Sequence, residues 1–296
     1  MPILRERDII KLLARRLPVG DDCAIIPYGK THLVLTTDML HRKSDFPFGV
    51  TAHAVGWRSA AASLSDIAAM GAKPIAVVVA IGAPRFEKAF IEELVEGIED
   101  CCQQAGARYV GGDIDRHDEL TIVTTALGKA KRPVLRSGAK VGHLVCVTGT
   151  LGRTAAALKL FKQRKSKKAN ALFKFMPRVA EGHVLAKFVS SMMDISDGVA
   201  RSLYQLSEAS QVGFRVAFKE IPICPEAREL ARHEKGILEM GLYTGEDFEL
   251  LFTLPSNRLK QAEQACDFSV IGEVIQKGVW LEQNGLKRLE DRGFEH

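Results

Sequence analysis

Two tryptophans and four tyrosines are all that 296 residues carry of those two side chains. The main basic run, KQRKSKK at 162–168, has no aromatic residue interleaved with it. It therefore lacks the stacking platforms that hold single-stranded nucleic acid, and it reads as a solvated helix end or loop. Cysteine is sparse as well. Cys23, Cys101, Cys102, Cys146, Cys224 and Cys266 are scattered and form no C-x-x-C pair. That argues against a disulfide framework or a zinc site and for buried, reduced thiols. No apolar stretch approaches the ~20 residues needed to span a bilayer. The leading MPILRERDIIKLLARRL carries acids and no small-residue cleavage site, so it does not read as a signal peptide. A cytoplasmic protein with no membrane or nucleic-acid partner is expected. Also missing are the phosphate-binding G-x-x-x-x-G-K-[ST] and the H-R-D and D-F-G of protein kinases. If ATP binds, it binds by another scheme.

What is present is an ordinary globular composition, 46% hydrophobic and 26% charged, with a formal charge of +5. The length suits two domains. HLVLTTD (32–38) reads as a strand ending in an acid. Residues 51–70 read as a helix of small side chains, stopped by Gly71 and Pro74. IAVVVAIG (75–82) is a continuous apolar strand, expected to be covered on both faces. An amphipathic helix over 86–105 follows, then a short strand at 108–110 running into GGD, then a strand at 120–128. The polar stretch 129–142 marks a boundary. Beyond it, strands and helices alternate again, with two helices expected in 152–188, one at 198–210, one near 225–235 and one over 256–265. Such alternation in two halves implies a two-domain α/β or α+β protein.

Acids recur at one kind of place: after an apolar strand or a Gly turn, and before a helix or turn. They are Asp21 and Asp22 (VGDDCAII), Asp38 (LTTDML), Asp66 (SLSDIAAMGA), Asp113 (VGGDID), Asp194 and Asp197 (DISDG), and Glu246 and Asp247 (TGEDFELLFT). Turn and cap chemistry explains any one of them, and Ser196 or Asp197 is placed to cap the helix starting near Val199. Asp66 is harder to explain. It falls near the C-terminal end of its helix, where the dipole disfavours an anion by ~0.3–1 kcal/mol, among Ala, Ile and Met. A buried carboxylate needs a cation, and Lys and Arg are scarce near these motifs. Oxygen-only ligands select a hard ion such as Mg²⁺. Glycines beside the acids let backbone N–H groups approach phosphate oxygens. A carboxylate-rich, Gly-lined site holding several Mg²⁺ ions suits phosphoryl transfer.

GDDCAI, TTDML, LSDIAAMGAKP, GGD, RSGAKVGHLVCVTGTLG, DISDG and GEDFELLFT occur in this order. Together they resemble the thiamine-monophosphate kinases of the aminoimidazole-ribonucleotide synthetase superfamily, over nearly the whole chain. The resemblance implies residues 1–135 as an N-terminal domain for ATP, Mg²⁺ and dimerisation, and 136–296 as a C-terminal α/β domain. It also implies a homodimer whose N-terminal strands form a β-barrel. By motif, Asp22, Thr36, Thr37, Asp38, Asp66, Asp113, Asp194 and Asp197 match Mg²⁺ ligands, with Asp38, Asp66, Asp113 and Asp197 at the reacting phosphates. Gly112, Arg136 and Ser196 match ATP contacts; Glu246 and Phe294 match the thiamine side. One departure stands out: Asp45 falls where relatives carry a substrate-facing His, with His41 earlier, and the resemblance assigns Asp45 to the substrate side, where an acid can meet the cationic thiazolium or the aminopyrimidine. The implied reaction is direct transfer of the ATP γ-phosphate to thiamine monophosphate, giving thiamine diphosphate and ADP. The alternatives are another ATP-dependent enzyme of the superfamily or a non-catalytic nucleotide binder. The hydrogenase-maturation and selenophosphate branches need a reactive Cys, for which Cys266 in a helical pattern and Cys23 in CAII are poor candidates.

Overall fold

A computed structural model describes residues 6–294. The first five residues of the expected N-terminal domain and the last two of the C-terminal one lie outside the described residues. The N-terminal half contains α1 (Glu6–Leu13), β1 (Ala24–Tyr28), β2 (Thr31–His41), α2 (Ala52–Ala69), β3 (Lys73–Ala83), α3 (Lys88–Ala105), β4 (Arg108–Arg116) and β5 (Thr121–Ala130). Its sheet runs β1-β2-β5-β3-β4, and only β3 and β4 pair in parallel. In the C-terminal half, β6 (Leu144–Val147), α4 (Arg153–Lys162), α5 (Ser166–Phe173), α6 (Val179–Leu185), β7 (Ser191–Asp194) and α7 (Val199–Ser210) come first. Next are β8 (Gly213–Ala217), α8 (Pro225–Leu230), α9 (Glu234–Leu238), β9 (Leu250–Leu254), α10 (Leu259–Glu263), β10 (Ser269–Ile275), β11 (Val279–Glu282) and β12 (Leu286–Arg288). Their sheet runs β12-β11-β8-β10-β6-β9-β7, antiparallel except for β8 with β11. The result is a two-domain mixed fold with mainly antiparallel sheets.

Helix α2 is the centre of the molecule. It packs on α3 and on the first sheet, and it also touches α6 and β7 of the second half. Its small residues are what allow this. A methyl group on Gly56 would fall 1.9 Å from the Leu94 carbonyl oxygen, and one on Gly97 would fall 2.1 Å from that of His53. Every residue of α2 except His53 and Asp66 is buried. The helix ends as expected at Gly71, which adopts a left-handed φ of +64° and donates its N–H to the Ala68 carbonyl.

Several expectations need correction. The apolar run of β3 is covered on one face only. Val77, Val79 and Ile81 are buried, whereas Ile75 and Val78 are exposed together with Leu35, Met39 and Val110. Helices α2 and α3 cover the inner face, and none of the described residues covers the outer one. Strand β4 does not stop at Val110. It runs on through GGD, so Asp113 lies inside a strand instead of after one. The stretch 152–188 holds three helices, because Lys165 and Arg178 each interrupt the helical backbone. The helix near 225–235 divides in two at Ala231–His233. The N-cap of α7 is Gly198, not Ser196 or Asp197, and it has no side-chain cap.

Candidate active site

Three segments converge on α2. Asp22 comes from the loop before β1, Thr36 and Asp38 from β2, Ser63, Ser65 and Asp66 from α2, and Asp194 from the last position of β7. Strand alternation puts Val34, Thr36, Asp38 and Leu40 on the face toward α2. Carboxylate oxygens of Asp22, Asp66 and Asp194 lie within 4.8 Å of one another. Asp66, Asp194 and the neighbouring Asp38 each accept a short hydrogen bond from a hydroxyl. Thr36 Oγ1 donates to Asp66 at 2.5 Å, Ser63 Oγ to Asp38 at 2.6 Å, and Ser65 Oγ to Asp194 at 2.7 Å. Hydroxyls satisfy lone pairs but leave the charge in place.

One cation does reach the cluster. Arg136 donates from Nη2 and Nε to the two oxygens of Asp22, at 2.9 and 3.3 Å, and its backbone N–H donates to Asp21 Oδ1 at 2.7 Å. A single guanidinium does not balance Asp22, Asp38, Asp66 and Asp194. Burial, then the charges of Asp38, Asp194 and Asp22, raise the Asp66 carboxyl well above its ordinary range. Asp194 is pushed up to about 8, first by burial and then by Asp22. Asp38 is raised by burial against the opposing Ser63 hydrogen bond. Carboxyls so placed either hold protons or hold cations. The donor set is all oxygen, with no His or Cys in the group of three, so it fits a hard divalent ion such as Mg²⁺. Cys23 is no nucleophile here. Burial and the surrounding aspartates push its thiol far up.

The other expected site residues fall in different places. Thr37 is exposed and faces the other side of the sheet, where its hydroxyl meets Thr125 Oγ1 at 3.0 Å. Asp113 is exposed and pairs with Ala80, between the inward-facing Val79 and Ile81, so its side chain is on that outer side too. Within one chain, Thr37 and Asp113 do not join the cluster through their side chains. Gly112 lies so close to β3 that a methyl group would fall 1.7 Å from the Val79 carbonyl oxygen. Ser196 and Asp197 form the loop after Asp194. The Ser196 carbonyl accepts from the Glu246 N–H at 2.6 Å, and the Ile195 carbonyl from the Phe248 N–H at 3.0 Å. DISDG and TGED are thus stitched backbone to backbone. The chain end joins them, with the Phe294 N–H donating to the Asp197 carbonyl at 3.0 Å. Asp45 is buried and closes the turn after β2, accepting from the His41 N–H at 2.6 Å and from Ser44 Oγ at 2.8 Å. Its second oxygen is buried with no hydrogen-bond partner among the described residues. Asp247 is structural. It accepts from the N–H groups of Gly152 and Thr154 at the start of α4.

Sequence reasoning passed over Ser63 and Ser65, taken only as small packing residues, and Arg58. The last had a signal: a charged residue on a helix of Ala, Val and Trp needs a partner as much as Asp66 does. Its partner is Glu246, with Arg58 Nη2 at 3.3 Å from Glu246 Oε2.

Comparisons with known proteins agree with this geometry. The family models for the N-terminal and C-terminal domains of AIR synthase related proteins match residues 20–130 and 140–280. The thiamine-monophosphate kinase of Halobacterium salinarum is 45% identical over 279 residues, covering 94% of each chain. That of Methanospirillum hungatei is 41% identical over 301 residues, covering 98% of this chain and 99% of its own. The solved structure of AaThiL complexed with AMPPCP and TMP superposes with a TM-score of 0.92 at 28% identity, covering 100% of this chain and 99% of that one. The chain belongs to the AIR synthase related proteins, within the thiamine-monophosphate kinase family.

Proposed function

We propose that this chain transfers the γ-phosphate of ATP to the phosphate of thiamine monophosphate, releasing thiamine diphosphate and ADP. The observation that carries the reading is the cluster of Asp22, Asp66 and Asp194 within 4.8 Å, with Asp38 beside it and one arginine to balance it. The acceptor is already an oxyanion, so no general base is needed. The barrier is repulsion between two anions brought in line. Bound at these carboxylates, Mg²⁺ would supply the neutralising charge that such a transfer needs. The chain's own groups hold and orient. Asp22, Asp38, Asp66 and Asp194 would anchor the cations. Thr36, Ser63 and Ser65 fix the carboxylate rotamers by the hydrogen bonds above. Arg136 keeps Asp22 in place and faces the polyphosphate side. Ser196 and Asp197 sit on the nucleotide side, while Glu246 and Phe294 are assigned to the thiamine.

The exposed outer face of the first sheet, with Leu35, Met39, Ile75, Val78 and Val110, supports a homodimer in which two such sheets face each other. Thr37 and Asp113 are on that side, so any ligand role of theirs belongs to the assembled dimer. The proposed reaction fits a cytoplasmic biosynthetic enzyme. The deciding experiment is ADP formation from ATP with Mg²⁺ and thiamine monophosphate, and free thiamine as the comparison acceptor. Turnover with the monophosphate and little with thiamine is expected, because a hydroxyl acceptor would need a base that this site lacks. Equal turnover of both, or none with the monophosphate, would overturn the reading.

A further inference from the structure

Arg58 is 1% exposed and is among the largest fully buried side chains of the described residues. Its Nη1 donates to the Phe173 carbonyl at 2.9 Å. Its Nη2 donates to the Glu246 carbonyl at 3.3 Å and lies 3.3 Å from Glu246 Oε2. Nε has no hydrogen-bond partner among the described residues. The guanidinium carbon stands 3.9 Å from the ring centre of Phe173, 5.3 Å from that of Phe175 and 5.5 Å from that of Phe248. The loop above it is unusual. Glu246 and Phe248 both adopt left-handed backbones, with φ of +57° and +52°, a conformation that side-chain-bearing residues hold only when their surroundings force it. Those surroundings are the Ser196 and Ile195 carbonyls, the Thr154 hydroxyl donating to the Glu246 carbonyl at 2.6 Å, the Phe175 ring stacked on Phe248 at 4.3 Å, and Arg58 underneath.

We infer that Arg58 is the positioning residue of the thiamine side: from inside α2 it holds the Glu246 carboxylate and backbone in the one orientation that can meet the substrate. This rests on the assignment of Glu246 to the thiamine. Arg58 shares its helix with part of the carboxylate cluster. Ser63, Ser65 and Asp66 follow it by five to eight residues on the same helix, ~7–12 Å along the axis at 1.5 Å per residue. One rigid helix thus carries both the cation under the substrate loop and part of the carboxylate cluster. A planar fork is required for this. Lysine offers a single point charge and cannot serve the Phe173 carbonyl, the Glu246 carbonyl and the Glu246 carboxylate together.

A double-mutant cycle with Glu246 tests it. Arg58→Met is expected to raise the KM for thiamine monophosphate about 10- to 100-fold while leaving kcat and the ATP KM within about threefold. Glu246→Gln behaves likewise. On the Glu246→Gln background, Arg58→Met should add less than about twofold, because it acts through that carboxylate. If Arg58→Met does not fold, Arg58→Lys replaces it in the same cycle, with a smaller KM rise that again vanishes beside Glu246→Gln. Effects that multiply in the double variant, or an ATP KM that rises as much as the thiamine-monophosphate KM, overturn the assignment. Wild-type protein that fails to turn over thiamine monophosphate overturns the proposed reaction itself, which the same assay reads separately.

Discussion

Asp66 stands three residues from the end of α2, where the helix dipole, burial and three neighbouring aspartates all oppose its charge. Its position was legible in the sequence because each of those oppositions has a local signature: the apolar neighbours, Gly71 after it, and other acids in matching motifs. Thr37 was not legible in the same way. Adjacent strand residues point to opposite faces, so a motif that groups Thr36, Thr37 and Asp38 is divided by the fold, and only Thr36 and Asp38 turn toward α2. Arg136 was read as a phosphate contact from its motif, but its pairing with Asp22 requires knowing that residues 114 apart meet. The consequence for Asp66 is a double expectation. Asp66→Asn removes one anchor and should lower kcat by ~10²–10³ at saturating Mg²⁺, the range for loss of one transition-state-stabilising group. In EDTA at alkaline pH, the same variant should melt at a higher temperature than the wild type, because it removes repulsion that Arg136 alone does not balance. Unchanged kcat would take Asp66 out of the site; a lowered Tm in EDTA would mean that its charge is compensated after all.

Among the elements, α2 was the easiest to read and the easiest to undervalue. Its run of Ala, Ser and Gly announces close packing, and the structure supplies the reason: α3 backbone atoms stand where a side chain at Gly56 would go, and α2 backbone atoms where one at Gly97 of α3 would go. What the pattern does not contain is which neighbours come close, since α3, α6 and β7 are brought in from up to 129 residues away, as in the Ser65–Asp194 bond. Gly97→Ala separates the two forces at work. Alanine favours a helix interior by about 1 kcal/mol over glycine, yet a methyl group 2.1 Å from the His53 carbonyl oxygen forces α2 and α3 apart, and overpacking of this kind costs about 1–3 kcal/mol or more. Packing is expected to win, with a lower urea midpoint for Gly97→Ala at unchanged slope. A raised midpoint would show that the helices part freely. Because α2 carries Ser63, Ser65 and Asp66, a displaced α2 should also weaken Mg²⁺-dependent activity beyond what the lost stability explains. The misread element is β3. Its continuous apolar run suggests cover on both faces, but the run does not say what would supply it, and α2 and α3 cover one face only while Ile75 and Val78 on the other stay exposed.

The whole molecule holds a charge imbalance at the meeting point of its two halves, and that makes its stability depend jointly on pH and divalent cation. A carboxyl whose folded pKa exceeds its unfolded value holds its proton more tightly when folded. Its stabilising contribution is complete below the unfolded pKa and disappears as pH rises through the folded one. For Asp194 the ordinary value is 3.8 and the folded one about 8, and Asp38 and Asp66 are raised as well. Cation-free protein should therefore lose stability steadily from about pH 4 to beyond about pH 8. Mg²⁺ needs the ionised carboxylates, so it competes with these protons, and binding should release them. The Tm gain on adding Mg²⁺ should accordingly grow with pH, and calorimetric binding enthalpies should vary with the ionisation enthalpy of the buffer. Asp247 provides an internal reference. Burial pushes it up to about 7, but it caps α4 and lies outside the group of three, so its share of the pH slope should persist at saturating Mg²⁺. Thermal melts across about pH 5–9, with EDTA and with Mg²⁺, read both parts. A flat EDTA series, or a Mg²⁺ gain that shrinks as pH rises, would mean that the aspartates are not held protonated in the cation-free protein and that the imbalance is met by some other counter-charge.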